Sequence, residues 1–373
     1  MKIALLGTRG IPNRYSGFET LAENLSQRLV ERGHQVTVYC RRQFVRPDDV
    51  VDPRIRRVIL PGLRSKYFDT LFHTFLSVLH VLFTDAEVIL ICNVANSPFA
   101  WISRLFGKPA VLNVDGLDRT RRKWNWLGRS FLFLCEMISV VTPTRLVTDA
   151  ETVRQYYRKR YRKSSTMIAY GSDVPGNSDG LNRFPLHPRK FILYVSRLEP
   201  ENNPELVLRA YREVQTDWPL VMVGGNAYQP SYVEYLQSLA DSRVIFTGPV
   251  YGEGYWALQQ NAGIYICACE VGGVHPALVE AMAAGNAIVY LDTPANRETT
   301  DGCAVAFGAA ASDLATKLAD LIGNPAARTE LATRARQSAN RRFRWDHITD
   351  QYESLFAEVL GRTTEAVKAP HAA

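Results

Sequence analysis

No apolar run in this 373-residue sequence reaches the ~18 residues that a membrane-spanning helix needs. No cationic leader precedes an apolar stretch either. The first apolar run, Ile3-Ala4-Leu5-Leu6, has the length of a strand, so no signal peptide is expected. Cysteine is scarce. Cys40, Cys92, Cys135, Cys267, Cys269 and Cys303 mostly fall in apolar runs, and Cys267 and Cys269 stand too close for a usual metal pair. Buried cytosolic thiols are therefore expected, rather than a disulfide frame or a metal site. His73 and His80 share one helical stretch, but no carboxylate completes a ligand set. Helix-turn-helix, zinc-finger and RNP patterns are absent, which argues against nucleic acid. The glycines of the N-terminal loop miss the G-x-G-x-x-G spacing, which argues against a nicotinamide cofactor. No D-x-D motif stands at a strand end and no Ser/His/Asp triad is visible, so neither a metal nor a dedicated nucleophile is expected.

What is present points to two domains. The length suits two of ordinary size, and an apolar fraction of 46% fills their cores. Charge is unevenly shared. Residues 1–180 carry 27 Lys and Arg against 16 Asp and Glu, and residues 181–373 carry 17 against 21, so the chain's +7 is divided as +11 and −4. A basic first half calls for an anionic partner.

The chain opens with the strand Lys2–Leu6, the loop Gly7-Thr8-Arg9-Gly10-Ile11-Pro12, a helix from Gly17 to Arg32 and a strand Gln35–Cys40, which is a βαβ unit. Gly7 and Gly10 can serve a tight turn, close approach of backbone to a ligand, or both. A strand Arg57–Leu60, a helix Tyr67–Phe83, a strand Glu87–Cys92, a helix Pro98–Phe106 and a strand Ala110–Val114 follow. The last strand delivers Asp115 at its carboxyl end, where open parallel sheets bind ligands, although Asp before Gly116 also suits a plain turn. A strand Met167–Ala169 precedes Pro175 to Pro188, which is rich in Gly, Pro, Asn and Ser and makes the best linker. A second alternating series then begins at Phe191–Val195, with strands near Leu220–Val223, Val244–Phe246, Ile264–Cys267 and Ala287–Tyr290. Trp345–Leu360 reads as a closing helix before a loose tail. The fold class expected is α/β, with two Rossmann-like doubly wound domains facing across a cleft. Their ranges are 1–175 and 185–344, and the helix 345–361 crosses back toward the first.

The most informative stretch is Glu270-Val271-Gly272-Gly273-Val274-His275-Pro276, between the strand ending at Cys267 and an Ala- and Leu-rich helix. Pro276 suits the first helical position. Bare N–H groups at such a helix start can hold a phosphate, and Glu280, one turn inside, can face the same crevice. A packing turn with a solvated Glu280 is the competing reading.

A second stretch, Arg119 to Arg129, joins five cationic residues to Trp124 and Trp126 and runs into an apolar helix, Phe131–Met137. Basic charge beside interfacial aromatics suits the surface of an anionic membrane, and a solvated basic loop over a buried Trp is the alternative. Arg154 to Lys163 forms a further basic helix with Tyr156, Tyr157 and Tyr161.

Several of these stretches together resemble one family. They are the opening Gly7 to Thr20, Asp115-Gly116-Leu117, Tyr170-Gly171-Ser172-Asp173, Arg197-Leu198-Glu199-Pro200-Glu201-Asn202-Asn203, Gly248-Pro249-Val250-Tyr251-Gly252 and Phe343-Arg344-Trp345. The chain resembles the retaining glycosyltransferases of family 4, which have the GT-B fold. Its opening looks like the bacterial branch that includes rhamnosyltransferases of surface-polysaccharide assembly. The resemblance implies transfer of a sugar from a nucleotide diphosphate-sugar to a glycan or lipid-linked acceptor, with no cofactor beyond that donor. It implies that Arg197 neutralises the donor diphosphate, that the usual lysine partner falls on Asn202, and that Glu280 holds the nucleotide ribose. The first of the family's two glutamates falls on Gly272, with Glu270 two residues upstream as a possible substitute. Gly272, Gly273 and Val274 would offer backbone to the donor. Asp115 stands where many relatives have a histidine near the donor sugar, and His275 faces it. Gly224, Val250 and Tyr251 would frame the base, and Gly10 and Gly17 would complete the donor contacts. The place of work implied is the cytoplasmic, inner face of the cell membrane. A nucleotide-sugar epimerase of the same fold and a non-catalytic sugar-nucleotide binder are the alternatives.

Overall fold

The computed structural model describes residues 1–14, 16–63, 65, 68–176, 179–226 and 229–363. Tyr15 of the opening motif, Tyr67 at the expected helix start, Asn177 and Ser178 of the linker, and the tail beyond 363 lie outside the described residues. The chain divides into two compact units. The first takes Met1–Thr120, Trp124–Tyr170 and the described residues from Trp345 onward. The second takes Arg121–Lys123 and Gly171–Arg344. The change at Tyr170 comes a little before the expected boundary at 175.

The first unit runs β1 (Lys2–Leu6), α1 (Gly17–Glu31), β2 (Gln35–Arg41), β3 (Arg56–Leu60), α2 (Asp69–Leu82), β4 (Val88–Cys92), α3 (Ser97–Leu105), β5 (Ala110–Val114), α4 (Trp126–Ser139), β6 (Arg145–Thr148), α5 (Glu151–Tyr161) and β7 (Thr166–Met167). Its seven strands pair in the order β3-β2-β1-β4-β5-β6-β7, all parallel. Central strands of a parallel sheet are covered on both faces, so they must be apolar throughout. Val88–Cys92 meets that demand, with every residue buried. The edge strand β3 carries Arg56 and Arg57 and is only partly covered.

The second unit runs β8 (Ile192–Val195), α6 (Pro204–Glu213), β9 (Leu220–Val223), α7 (Pro230–Leu239), β10 (Val244–Gly248), α8 (Gly252–Asn261), β11 (Ile264–Cys267), α9 (Pro276–Ala283), β12 (Ala287–Leu291), α10 (Pro294–Thr300), β13 (Val305–Phe307), α11 (Ala311–Gly323) and α12 (Pro325–Arg342). Its six strands pair in the order β10-β9-β8-β11-β12-β13, again all parallel. Tyr194, Tyr211, Met222, Leu236, Ile266 and Phe307 are among the side chains that fill the core beneath its helices.

The last helix, α13 (Trp345–Val359), returns to the first unit and packs on α1. Trp345, Ile348, Tyr352, Leu355 and Phe356 are buried there, and Asn113 at the end of β5 donates to the Tyr352 hydroxyl at 2.5 Å. Among the described residues no helix is long and apolar enough to cross a membrane. All six cysteines are free and buried.

Candidate functional site

In each sheet the strand order reverses once, between β1 and β4 in the first and between β8 and β11 in the second. Loops leaving the carboxyl ends of such neighbouring strands part to opposite faces and open a crevice. In the second unit these two loops carry Arg197 and the glycine stretch. They are fastened to each other. The Glu270 amide donates to the Glu201 carbonyl at 3.0 Å, and the Asn203 side chain donates to the Ala268 carbonyl at 2.9 Å. Arg197, Asn202, Glu270 and the Gly272–His275 turn are thus brought together by topology.

The Arg197 turn is held from three sides. The Asn202 side chain donates to the Arg197 carbonyl at 2.8 Å, and the Tyr194 hydroxyl donates to the Asn202 carbonyl at 2.8 Å. Asn202 is buried and neutral, so it braces the loop where a lysine would have added charge. From β9, the Gly225 carbonyl accepts the Leu198 amide at 3.1 Å. That approach needs Gly224. Its φ is +139°, and a Cβ there would lie 1.8 Å from the Ser196 carbonyl oxygen. Val250 and Tyr251 follow β10 and lead into α8, with Val250 half-buried and Tyr251 exposed.

In the second loop, Gly272 has φ +147°, and a Cβ there would stand 2.7 Å from the His275 ring. The imidazole occupies the space that a side chain at 272 would need, so a glutamate cannot enter without displacing it. Glu270 does not fill that place freely either, because its carboxylate is paired with Arg122 at 2.8 Å. His275 caps α9, its carbonyl accepting the Leu278 and Val279 amides, and Pro276 takes the first helical position.

Glu280 is not solvated. It is buried one turn into α9 and accepts a hydrogen bond from the Tyr255 hydroxyl of α8. Gln259 donates to the same hydroxyl at 2.9 Å. Burial pushes the Glu280 carboxyl up to about 7, against the pull of the Tyr255 bond.

Part of the electrostatic centre around Arg197 comes from residues that the sequence reading placed elsewhere. The segment Arg121–Lys123, expected at a membrane, belongs to the second unit. Lys123 Nζ stands 3.4 and 3.5 Å from the two Glu199 oxygens, and Arg197 Nη1 is 3.3 Å from Glu199 Oε1. Arg121 is buried and acts on the same carboxylate. Burial works to raise the Glu199 carboxyl, but Arg197, Lys123 and Arg121 outweigh it and hold the group below its ordinary value. Glu201 goes the other way. It is fully buried, and neither carboxylate oxygen has a hydrogen-bond partner among the described residues. Burial, and after it the charge of Glu199, push its carboxyl up. Glu199 and Glu201 were legible only as part of a quoted motif. Tyr255 had no sequence signal at all.

Asp115, Gly10 and Gly17 belong to the first unit. Asp115 leaves the carboxyl end of β5, and its charge is felt by Cys92 and Tyr170. Gly10 has φ +110°, and a Cβ there would lie 2.6 Å from the side chain of Cys40. Gly17 opens α1. Two residues on, the buried Glu19 carboxylate accepts the Arg9 amide at 2.6 Å and the Ser16 hydroxyl at 2.5 Å, which ties the glycine loop to the helix start. Among the described residues no group of three His, Cys, Asp or Glu side chains is arranged to hold a metal ion.

The family described as Glycosyltransferase Family 4 matches residues 15–174, and the one described as Glycosyl transferases group 1 matches residues 182–338. The chain is 24% identical to spore coat protein SA of Bacillus subtilis (strain 168), over 95% of this chain and 99% of that protein. Among solved structures it is similar to sucrose-phosphate synthase (tll1590) from Thermosynechococcus elongatus, with a TM-score of 0.82 at 18% identity over 96% and 99% of the two chains. It is also similar to Anabaena Alr3699/HepE in complex with UDP-glucose, with a TM-score of 0.75 at 16% identity over 97% and 99%. The two units correspond to the two halves of that fold, and each carries its own family match. The chain is a glycosyltransferase of the GT-B fold, related to the family-4 enzymes.

Proposed function

We propose that the chain moves a sugar from a nucleotide diphosphate-sugar to a glycan or lipid-linked saccharide acceptor in cell-surface polysaccharide synthesis. The transfer retains configuration and needs no metal, and the opening motif points to rhamnose as the sugar. One observation carries the reading. At the reversal point of the second sheet, a cation-bearing loop (Arg197) is fastened to a glycine turn that opens a helix (Gly272 to Pro276). An arginine and a helix start are the groups a leaving diphosphate needs. The complex of Alr3699/HepE with UDP-glucose supports a donor of this class.

The chemistry follows from the charge. The bond from the anomeric carbon to the phosphate oxygen breaks as the bond to the acceptor oxygen forms on the same face. The acceptor's proton passes to the leaving phosphate oxygen. The protein supplies position and positive charge, not a nucleophile. Glu280, held by Tyr255, accepts from the ribose hydroxyls.

The membrane contact belongs to the first unit and rests on apolar side chains. Arg119 is engaged by Glu136 at 3.0 Å and by Tyr156 at 2.8 Å, and Arg122 and Lys123 by Glu270 and Glu199. Trp126, Leu127, Leu134 and Met137 of α4 remain exposed.

The test is incubation of the purified chain with dTDP-, UDP- and GDP-sugars and a membrane extract, followed by mass analysis of products. Sugar transfer is expected with one donor. Arg197→Ala, folded by its thermal melt, should lower turnover by on the order of 100-fold. A near-normal rate overturns the site. An epimer formed without acceptor identifies the epimerase instead, and donor binding with no turnover in any extract identifies the binder.

A further inference from the structure

A diphosphate carries its charge on two phosphoryl groups, yet Arg197 is flanked by a neutral residue, Asn202, whose amide is spent on the Arg197 carbonyl. The second cation at this place comes from a distant stretch of sequence. Lys123 Nζ and Arg197 Nη1 approach the same oxygen, Glu199 Oε1, at 3.4 and 3.3 Å. Two cations that converge on one carboxylate oxygen are spaced to share one phosphate oxygen. Their exposure fits this. Glu199 keeps 7% of its side chain accessible, while Arg197 keeps 27% and Lys123 18%, so a ligand can reach the cations but not the carboxylate behind them. Both stand beside the loop that leaves β8 at the reversal of the second sheet.

We propose that Lys123 is a second binding group for the donor's diphosphate, working beside Arg197, and that Glu199 is the internal counter-ion that holds the pair in place. This rests on the donor reading above and adds to it a residue the sequence reading assigned to a membrane. The placement is specific to this segment. Arg122, its neighbour, is turned to Glu270 instead. Asn202, five residues beyond Arg197 on the same loop, contributes structure and no charge.

The experiment compares calorimetric binding of UDP, GDP and dTDP with that of the corresponding monophosphates, using the full chain. Wild type is measured beside Lys123→Gln, Lys123→Arg and Lys123→Met, the last keeping most of the aliphatic stem. Lys123→Gln and Lys123→Met should weaken whichever diphosphate binds wild type by roughly 10- to 100-fold. They should leave the monophosphate within about twofold, and Lys123→Arg should restore most of the loss. A purely structural role for Lys123 would weaken both nucleotides together or neither, and either result overturns the proposal. Wild-type protein that binds none of the three diphosphates overturns the donor reading itself, and this inference with it. That outcome is distinct from intact wild-type binding that the substitutions leave unchanged.

Discussion

Glu280 combines a proposed site position with a burial cost. Its carboxyl ionises at about 7 when folded and near its ordinary 4.5 when unfolded, because burial disfavours the charge more than the Tyr255 hydroxyl restores it. Between these values the folded chain holds a proton that the unfolded chain has lost. Stability therefore falls as the pH rises through this window and levels off above about 7. Glu280→Gln removes the titration. Thermal melts at pH 5, 6, 7 and 8 should show wild type losing stability against this variant, by up to about 3 kcal/mol, while the variant loses donor affinity at every pH. Parallel pH profiles for the two proteins would refute the burial argument. Glu280 could be picked out beforehand as a carboxylate one turn past a Gly-Gly-x-x-Pro loop, facing either the crevice or solvent. Its partner could not, because Tyr255 is set against it by the packing of α8 on α9 and no local spacing signals that. The same holds for Lys123, which reads as one cation among five in sequence and reaches Glu199 only through the fold. Gly272 shows the converse. The missing glutamate was plain in the sequence, but its physical reason, the His275 ring over the glycine, needed coordinates.

At the scale of elements, unbroken apolar runs announced themselves even when short, and segments broken by polar residues or only three residues long did not. β1, β5, β9 and β11 and the closing helix fall within a residue of their expected ends. β6 and β13 had no expectation at all. β6 is bracketed by Arg145 and Thr148, where the equally short β9 and β11 are apolar runs, and β13 has only three residues, so tertiary pairing with β5 and β12 makes them strands. α4 begins at Trp126, not Phe131, because the Asn125 side chain accepts the Gly128 amide at 2.9 Å and caps it. The return of α13 can be tested through one side chain. Glu353 is buried and accepts from Arg32 at 2.7 Å, and it lies 2.9 Å from His34 Nε2. Burial works to raise its carboxyl, but His34 and Arg32 outweigh it and keep it below the ordinary value. This contribution is present above the ordinary carboxylate range and is lost as the pH falls through the depressed folded value. Glu353→Ala takes the carboxylate from the buried His34 ring, while the partly exposed Arg32 keeps Asp350 at 2.8 Å, and should destabilise the chain by about 1–3 kcal/mol at pH 7, with the deficit shrinking in acid. Urea midpoints at pH 7 and pH 3.5 measure both. An unchanged midpoint at pH 7 would mean that α13 is held by its apolar face alone.

The molecule as a whole carries its positive excess in the first half of the chain, and the question is what that charge serves. Five cations between Arg119 and Arg129 looked like a membrane anchor. The fold commits most of them elsewhere: Arg119 to Glu136 and Tyr156, Arg122 to Glu270, Lys123 to Glu199, with Arg121 buried. What stays outside is apolar. α4 exposes Trp126, Leu127, Phe131, Leu134 and Met137, and α3, packed against it, exposes Trp101 and Leu105. Exposed apolar area of this breadth is uncommon on a surface that meets only water. Arg104 and Arg129 are exposed on the same two helices and give an anionic leaflet something to attract, at ~1 kcal/mol per cation when salt is low. Flotation with liposomes should therefore show binding that prefers anionic lipid and weakens only partly with salt. Trp126→Ser combined with Leu127→Ser should abolish recovery, because partition of the rings and aliphatic chains supplies most of the affinity. Arg122→Ser should leave recovery unchanged, since that guanidinium is already paired. Loss of binding with Arg122→Ser, but not with the apolar pair, would return the anchor to the basic segment. Absence of binding to either vesicle would leave this face to some other apolar partner.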